Sequence, residues 1–187
     1  MADYNYLHTS QGKNDECYTE RYGVEPLLPY LNEFSRGRTV VIWCPFDTEE
    51  SEFVKVFKEY GYEVVYSHIK NGQDFFTYEP KRWDIIISNP PFTGKREIFE
   101  RALSFNKPFC LLMNITWLND AAPFDIFKDI DLQLLIFRDR MQFKGKKQKE
   151  KINFKSAYYC RGFLPRQIVW GDFEAVGQQK LFTKEKV

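Results

Sequence analysis

The sequence is poor in histidine and has no paired cysteine spacing. Its two histidines, His8 and His68, and its four cysteines, Cys17, Cys44, Cys110 and Cys160, form no Cys-x-x-Cys and no mixed cluster of zinc-ligand spacing, so no metal is expected. No apolar run approaches the ~18 residues that a bilayer span needs, and no signal peptide opens the chain. The expectation is a cytoplasmic protein with no membrane partner, its thiols free and buried in strands. The net charge of +1 excludes a global pull toward nucleic acid, so such a partner would need a local basic patch. No Gly-x-Gly-x-x-Gly occurs, which argues against a plain nucleotide-binding protein.

What is abundant is aromatic. Aromatic residues make up 18% of the chain, phenylalanine alone occurring 18 times, which suits a ring-rich core, rings that stack on a flat ligand, or both. A length of 187 residues supports one domain with a real core and not two. The polar stretch 1–16 reads as a loose arm, 17–171 as the domain and 172–187 as a polar tail.

Periodicity organises the domain. Leu27, Leu28, Leu31 and Phe34 recur at helical spacing within 24–34, and Gly37 closes that segment. The run 39–44 is a buried strand by its β-branched content. After the turn at 45–48, Asp47 or Thr48 can cap a helix whose face is Phe53, Val56, Phe57 and Tyr60. Strands follow at 62–66, 84–88 and 108–113, with helices at 94–105 and 122–128. Strand–helix alternation predicts a parallel sheet covered on both faces. The segments 132–137 and 157–163 have only a loop between them and predict an antiparallel pair at one edge, making a mixed sheet of about seven strands.

Strand 84–88 delivers the chain directly into Asn89-Pro90-Pro91-Phe92. Ligands of open α/β sheets lie beyond the carboxyl ends of strands. Two prolines fix φ and remove two donors while keeping their carbonyls. The loop therefore offers stiff acceptors, the Asn89 side-chain oxygen and the Pro90 carbonyl, beside the Phe92 ring. Two acceptors suit both N–H bonds of an adenine N6 amine. Their dipoles stabilise the positive charge that develops as nitrogen attacks a methyl group. No strong base is needed, because the proton can leave after transfer, so positioning carries the catalysis. Phe92 would stack on the base.

Ser88-Asn-Pro-Pro-Phe92 resembles the catalytic motif of the N6-adenine DNA methyltransferases, and the chain is similar to their small, phage-type members. The resemblance implies a single-domain Rossmann-like methyltransferase fold with a C-terminal antiparallel hairpin, S-adenosylmethionine as cofactor and DNA as partner. Cys17-Tyr-Thr-Glu-Arg21 is similar to the segment that helps hold the methionine end of the cofactor, which assigns Tyr18 and Thr19 to it. Trp43-Cys-Pro-Phe46 stands where the family has Asp-Pro-Phe and then Gly-x-Gly, which assigns Cys44, Pro45 and Phe46. Gly72-Gln-Asp-Phe75 resembles the acidic contact near the cofactor adenine, where Asp74 would accept from the amino group and Phe75 would stack. Arg140-Met-Gln-Phe143, followed by Phe154-Lys-Ser-Ala157, is similar to the family's late hairpin.

Two departures stand out. Asp47-Thr-Glu-Glu-Ser51 replaces the glycine-rich turn that lets backbone approach the cofactor, and Asp47 or Glu49 could instead reach its amino or hydroxyl groups. Ser67 stands where the family has an acid for the ribose, and can replace one of its hydrogen bonds.

Lys144, Lys146, Lys147, Lys149 and Lys151 crowd one loop, with Arg140 ahead of it, and can contact phosphates. A target adenine must be flipped out or unpaired, and Phe143 could stack against it. Trp117 either walls the site or packs the core. Two other readings stay open. The same loop could hold an adenine of RNA or a protein glutamine amide, or the fold could bind nucleic acid or protein without transferring a methyl group. Oligomeric state is not readable from the sequence.

Overall fold

The computed structural model describes residues 18–144, 151–153 and 155–173. Seven strands form the main sheet: β2 (Val41–Cys44), β3 (Glu63–Tyr66), β4 (Ile85–Ser88), β5 (Phe109–Asn114), β6 (Gln133–Phe137), β9 (Ser156–Arg161) and β10 (Ile168–Gly171). Their order across the sheet is β10-β6-β9-β5-β4-β2-β3. β3, β2, β4 and β5 run parallel, and β9 is antiparallel to both β5 and β6. Among the described residues five α-helices accompany them: α1 (Arg21–Val24), α2 (Leu28–Ser35), α3 (Glu52–Glu59), α4 (Lys95–Ser104) and α5 (Ala121–Phe127). This is the α/β mixed sheet that the strand–helix alternation predicts, in the Rossmann-like arrangement that the resemblance implies.

Strand alternation sorts the core into two layers. Ile42, Cys44, Ile85, Ile87, Cys110, Leu112, Tyr158 and Cys160 face one side, where Leu31 of α2 and Phe53, Val56 and Phe57 of α3 cover them. Val41, Trp43, Ile86, Phe109, Leu111, Met113 and Tyr159 face the other, under Ile98, Phe99 and Ala102 of α4 and Phe127 of α5. Cys44, Cys110 and Cys160 are buried free thiols in strands, while Cys17 lies outside the described residues.

Four details depart from the periodicity. The segments 132–137 and 157–163 do pair antiparallel, but β9 inserts between β5 and β6, so the sheet's edge is β10, which pairs in parallel with β6. A small three-stranded sheet, β1 (Tyr18–Thr19) with β7 (Gln142–Lys144) and β8 (Lys151–Asn153), stands apart from the main one. The predicted helix over 24–34 is interrupted, because Pro26 falls in a 3-10 turn, Glu25–Leu27, and Pro29 restarts α2, each having no N–H to continue the ladder. Finally, α3 is capped by Ser51, whose Oγ accepts from the Phe53 N–H at 3.3 Å, and not by Asp47 or Thr48.

Candidate active site

From β2 the chain passes to β3 on one side, and from β3 it crosses back to β4 on the other side of β2. The gap between the carboxyl ends of β2 and β4 is therefore the topological switch point, where open α/β sheets bind ligands. Two loops meet there: Pro45-Phe46-Asp47 after β2 and Asn89-Pro90-Pro91-Phe92 after β4. Pro90 is buried, and the Asn89 side-chain oxygen is buried with it. Pro91 and Phe92 are half-buried, the Phe92 ring resting on the second core layer. Gly94 at φ 70° turns the chain into α4, a left-handed backbone that any other residue would adopt at a cost.

Asp47 joins the two loops. Its Oδ2 accepts from the Ser88 hydroxyl at 2.5 Å, in buried surroundings, and its Oδ1 accepts from the Ser51 hydroxyl. Burial pushes this carboxyl from near 3.8 up to about 6, against the opposite pull of its two serine donors. A carboxyl raised on folding binds its proton more tightly in the native state. Its contribution to stability therefore declines as pH rises from about 4 to about 6 and stays low above that. The full swing is about 3 kcal/mol at ~1.4 kcal/mol per pH unit. Asp47→Asn, which cannot ionise, should remove this decline from urea unfolding curves recorded across that window. An unchanged pH slope would contradict the buried carboxylate.

The site residues expected from the sequence divide into three groups. Asn89, Pro90, Pro91, Phe92, Pro45, Phe46 and Asp47 come together at the switch point. Tyr18 is exposed on β1, and Thr19 beside it is buried, its hydroxyl without a partner among the described residues. That orphan hydroxyl fits the polar end of a bound cofactor. Asp74 is half-buried, its Oδ1 accepting from the Phe76 N–H at 3.1 Å in a local turn.

The second group is taken up by the protein itself. Asp47 has both oxygens committed to serines, so it orders the loops and is not placed to bind the cofactor. Ser67 is wholly buried and its Oγ accepts from the Trp43 indole at 3.0 Å, which corrects the ribose role. Phe75 is 2% exposed and packs on Trp43, Phe46, Phe76 and Phe105, so its ring faces belong to the core and not to a ligand. Cys44 is fully buried, and burial, with Asp47 second, pushes its thiol well up. Phe143 is 1% exposed on β7, opposite Thr19, a core ring and not a stacking platform for a base. Trp117 stacks on Phe99 at 5.3 Å and is likewise core.

The third group carries the expected nucleic-acid contacts. Arg140 is exposed. The backbone of Lys144 ends β7, and Lys146, Lys147 and Lys149 lie outside the described residues. One residue that the sequence did not suggest is Ser156. It faces Asn114 at the carboxyl end of β5, and its buried hydroxyl has no partner among the described residues. No group of three or more His, Cys, Asp or Glu among the described residues could hold a metal ion.

No protein-family model matches the chain. It is similar to the Type II methyltransferase M.EcoRI of Escherichia coli, at 23% identity over 66% of this chain and 52% of that protein. The chain thus spans about half the length of the curated relative it matches. Among solved structures it is similar to a candidate RNA methyltransferase from Pyrococcus horikoshii, with 11% identity, a TM-score of 0.45, and coverage of 74% of this chain and 79% of that one.

Proposed function

We propose that this chain transfers a methyl group from S-adenosylmethionine to the N6 amine of adenine in DNA. The observation that carries the proposal is the Asn89–Phe92 loop at the switch point, which holds a buried acceptor oxygen and a half-buried ring. The similarity to a Type II methyltransferase supports methyl transfer as the reaction class. The cofactor would supply an activated methyl group, and Tyr18, Thr19, Phe46 and Asp74 are the residues that would hold it. Asn89 Oδ1 and the Pro90 carbonyl would accept the two N–H bonds of the target amine and stabilise the charge that grows on its nitrogen. Phe92 would hold the flipped or unpaired base in plane.

A second reading is favoured by one observation. Asp47 and Ser67, two of the groups expected to reach the cofactor, are both engaged within the protein. On that reading the fold binds nucleic acid and transfers nothing. Titration calorimetry with S-adenosylmethionine separates the two: saturable binding supports the enzyme, and no heat at millimolar cofactor supports the binding module.

The lysine loop yields a further expectation. Replacing Lys146, Lys147 and Lys149 by glutamine should weaken DNA binding and lower the slope of log affinity against log salt by up to about 3, since each phosphate contact contributes ~0.9. Fluorescence anisotropy between about 50 and 200 mM salt reads it. Equal slopes would remove the loop from the interface.

A further inference from the structure

Ser88 is the last residue of β4 and the immediate neighbour of Asn89. Its hydroxyl has one proton, and it donates that proton to Asp47 on the next strand's loop, 41 residues earlier in the chain. Ser51 donates its own proton to the other Asp47 oxygen while accepting from the Phe53 N–H at the start of α3. A continuous path of hydrogen bonds thus runs from the first turn of α3 through one carboxylate to the residue preceding the catalytic loop. Bonds to an ionised acceptor are the stronger and more directional kind. The Ser88 bond is buried, where water does not compete for it, and the Ser51 bonds are part-buried.

We propose that Asp47 is a positioning residue that latches the Asn89 loop to the start of α3. The proposal rests on the methyltransferase reading of that loop. The carboxylate needs both hydroxyl protons to stay in place. When it takes up a proton itself, one oxygen becomes a donor, and the serine facing it must turn its hydrogen elsewhere. The latch then opens on one side. The groups that face Asp47 electrostatically from neighbouring strands are the Cys44 thiol on β2 and the Tyr158 phenol on β9, and burial keeps both neutral. Neither supplies a charge that would replace the carboxylate. Below about pH 6, where burial sets the Asp47 carboxyl, loop position and turnover should decline together.

Asp47→Asn and Ser88→Ala test the latch in the 187-residue chain. Both should unfold cooperatively and bind S-adenosylmethionine within about threefold of the parent, because neither residue is placed to touch it. Turnover should fall by about tenfold or more, the scale of a loop misplaced by a fraction of its working distance. The parent's decline in turnover near pH 6 should vanish in Asp47→Asn. Independently of activity, amide hydrogen exchange at Asn89 and Phe92 should quicken by about tenfold in both variants, with β5 amides unchanged. Turnover within twofold of the parent together with unaltered exchange would overturn the latch. A parent chain that binds cofactor and methylates no nucleic acid would refute the enzyme reading, and the exchange measurement would still decide the latch.

Discussion

Asn89→Ala is expected to lower methyl transfer by about a hundredfold or more while leaving the unfolding midpoint within a few degrees of the parent. Loss of one preorganised dipole aimed at a developing charge costs on that scale in other active sites. Here the dipole is an amide oxygen held in a stiff, buried turn between Ser88 and two prolines. The loss should lie in turnover and not in cofactor affinity, because in the proposed role the amide would hold the amine and not the cofactor. Asn89→Asp restores an acceptor at the same place and should recover most of the lost rate. A single-turnover assay with radiolabelled cofactor checks both variants. Full activity in the alanine variant would remove Asn89 from the chemistry.

The largest effect on stability is expected from Phe99→Ala. Phe99 is fully buried on α4 and touches Phe109, Trp117, Phe127 and Tyr159, with ring centroids 5.1 to 5.9 Å away. Truncating a core phenylalanine costs about 3–5 kcal/mol through lost burial and the cavity left behind. The four rings around it are stiff and themselves packed, so collapse into the cavity is limited and the upper part of that range applies. At ~2–4 °C per kcal/mol for a domain of this size, the melting temperature should fall by roughly 10 °C or more. Phe124→Ala, at a ring 66% exposed on the neighbouring helix, should change stability by under about 0.5 kcal/mol. Equal losses from the two substitutions would contradict the assigned core.

Much of the fold was legible because local and global signals agree. The β-branched runs at 40–44 and 85–88 are buried on both faces and read as apolar strands, and the helices between them have one apolar side. The place of the Asn89–Phe92 loop beyond the carboxyl end of β4 was legible because it directly follows a buried apolar run. What escaped the sequence is of another kind. The bond between Asp47 and Ser88 joins residues 41 apart, and no periodicity announces such a pair. Ser51 stands directly before the apolar face of α3 and was the available cap signal, which the earlier turn residues Asp47 and Thr48 obscured. Phe75 and Phe143 are residue types that serve a ligand or a core equally well, and only their burial decides the matter. Ser67 could be placed at the end of β3 from the sequence, but its partner Trp43, on the neighbouring strand, could not. β10 is a four-residue strand whose apolar pattern is too short to stand out from a loop.

The central claim is that the Asn89 loop presents an adenine amine for methylation. Incubating the purified chain with methyl-deuterated S-adenosylmethionine and, separately, DNA and RNA, then digesting to nucleosides for mass spectrometry, tests it most directly. Deuterated N6-methyladenine in the DNA digest, absent with Asn89→Ala, is the predicted result. Label on another atom, or none in either nucleic acid despite measurable cofactor binding, would contradict it.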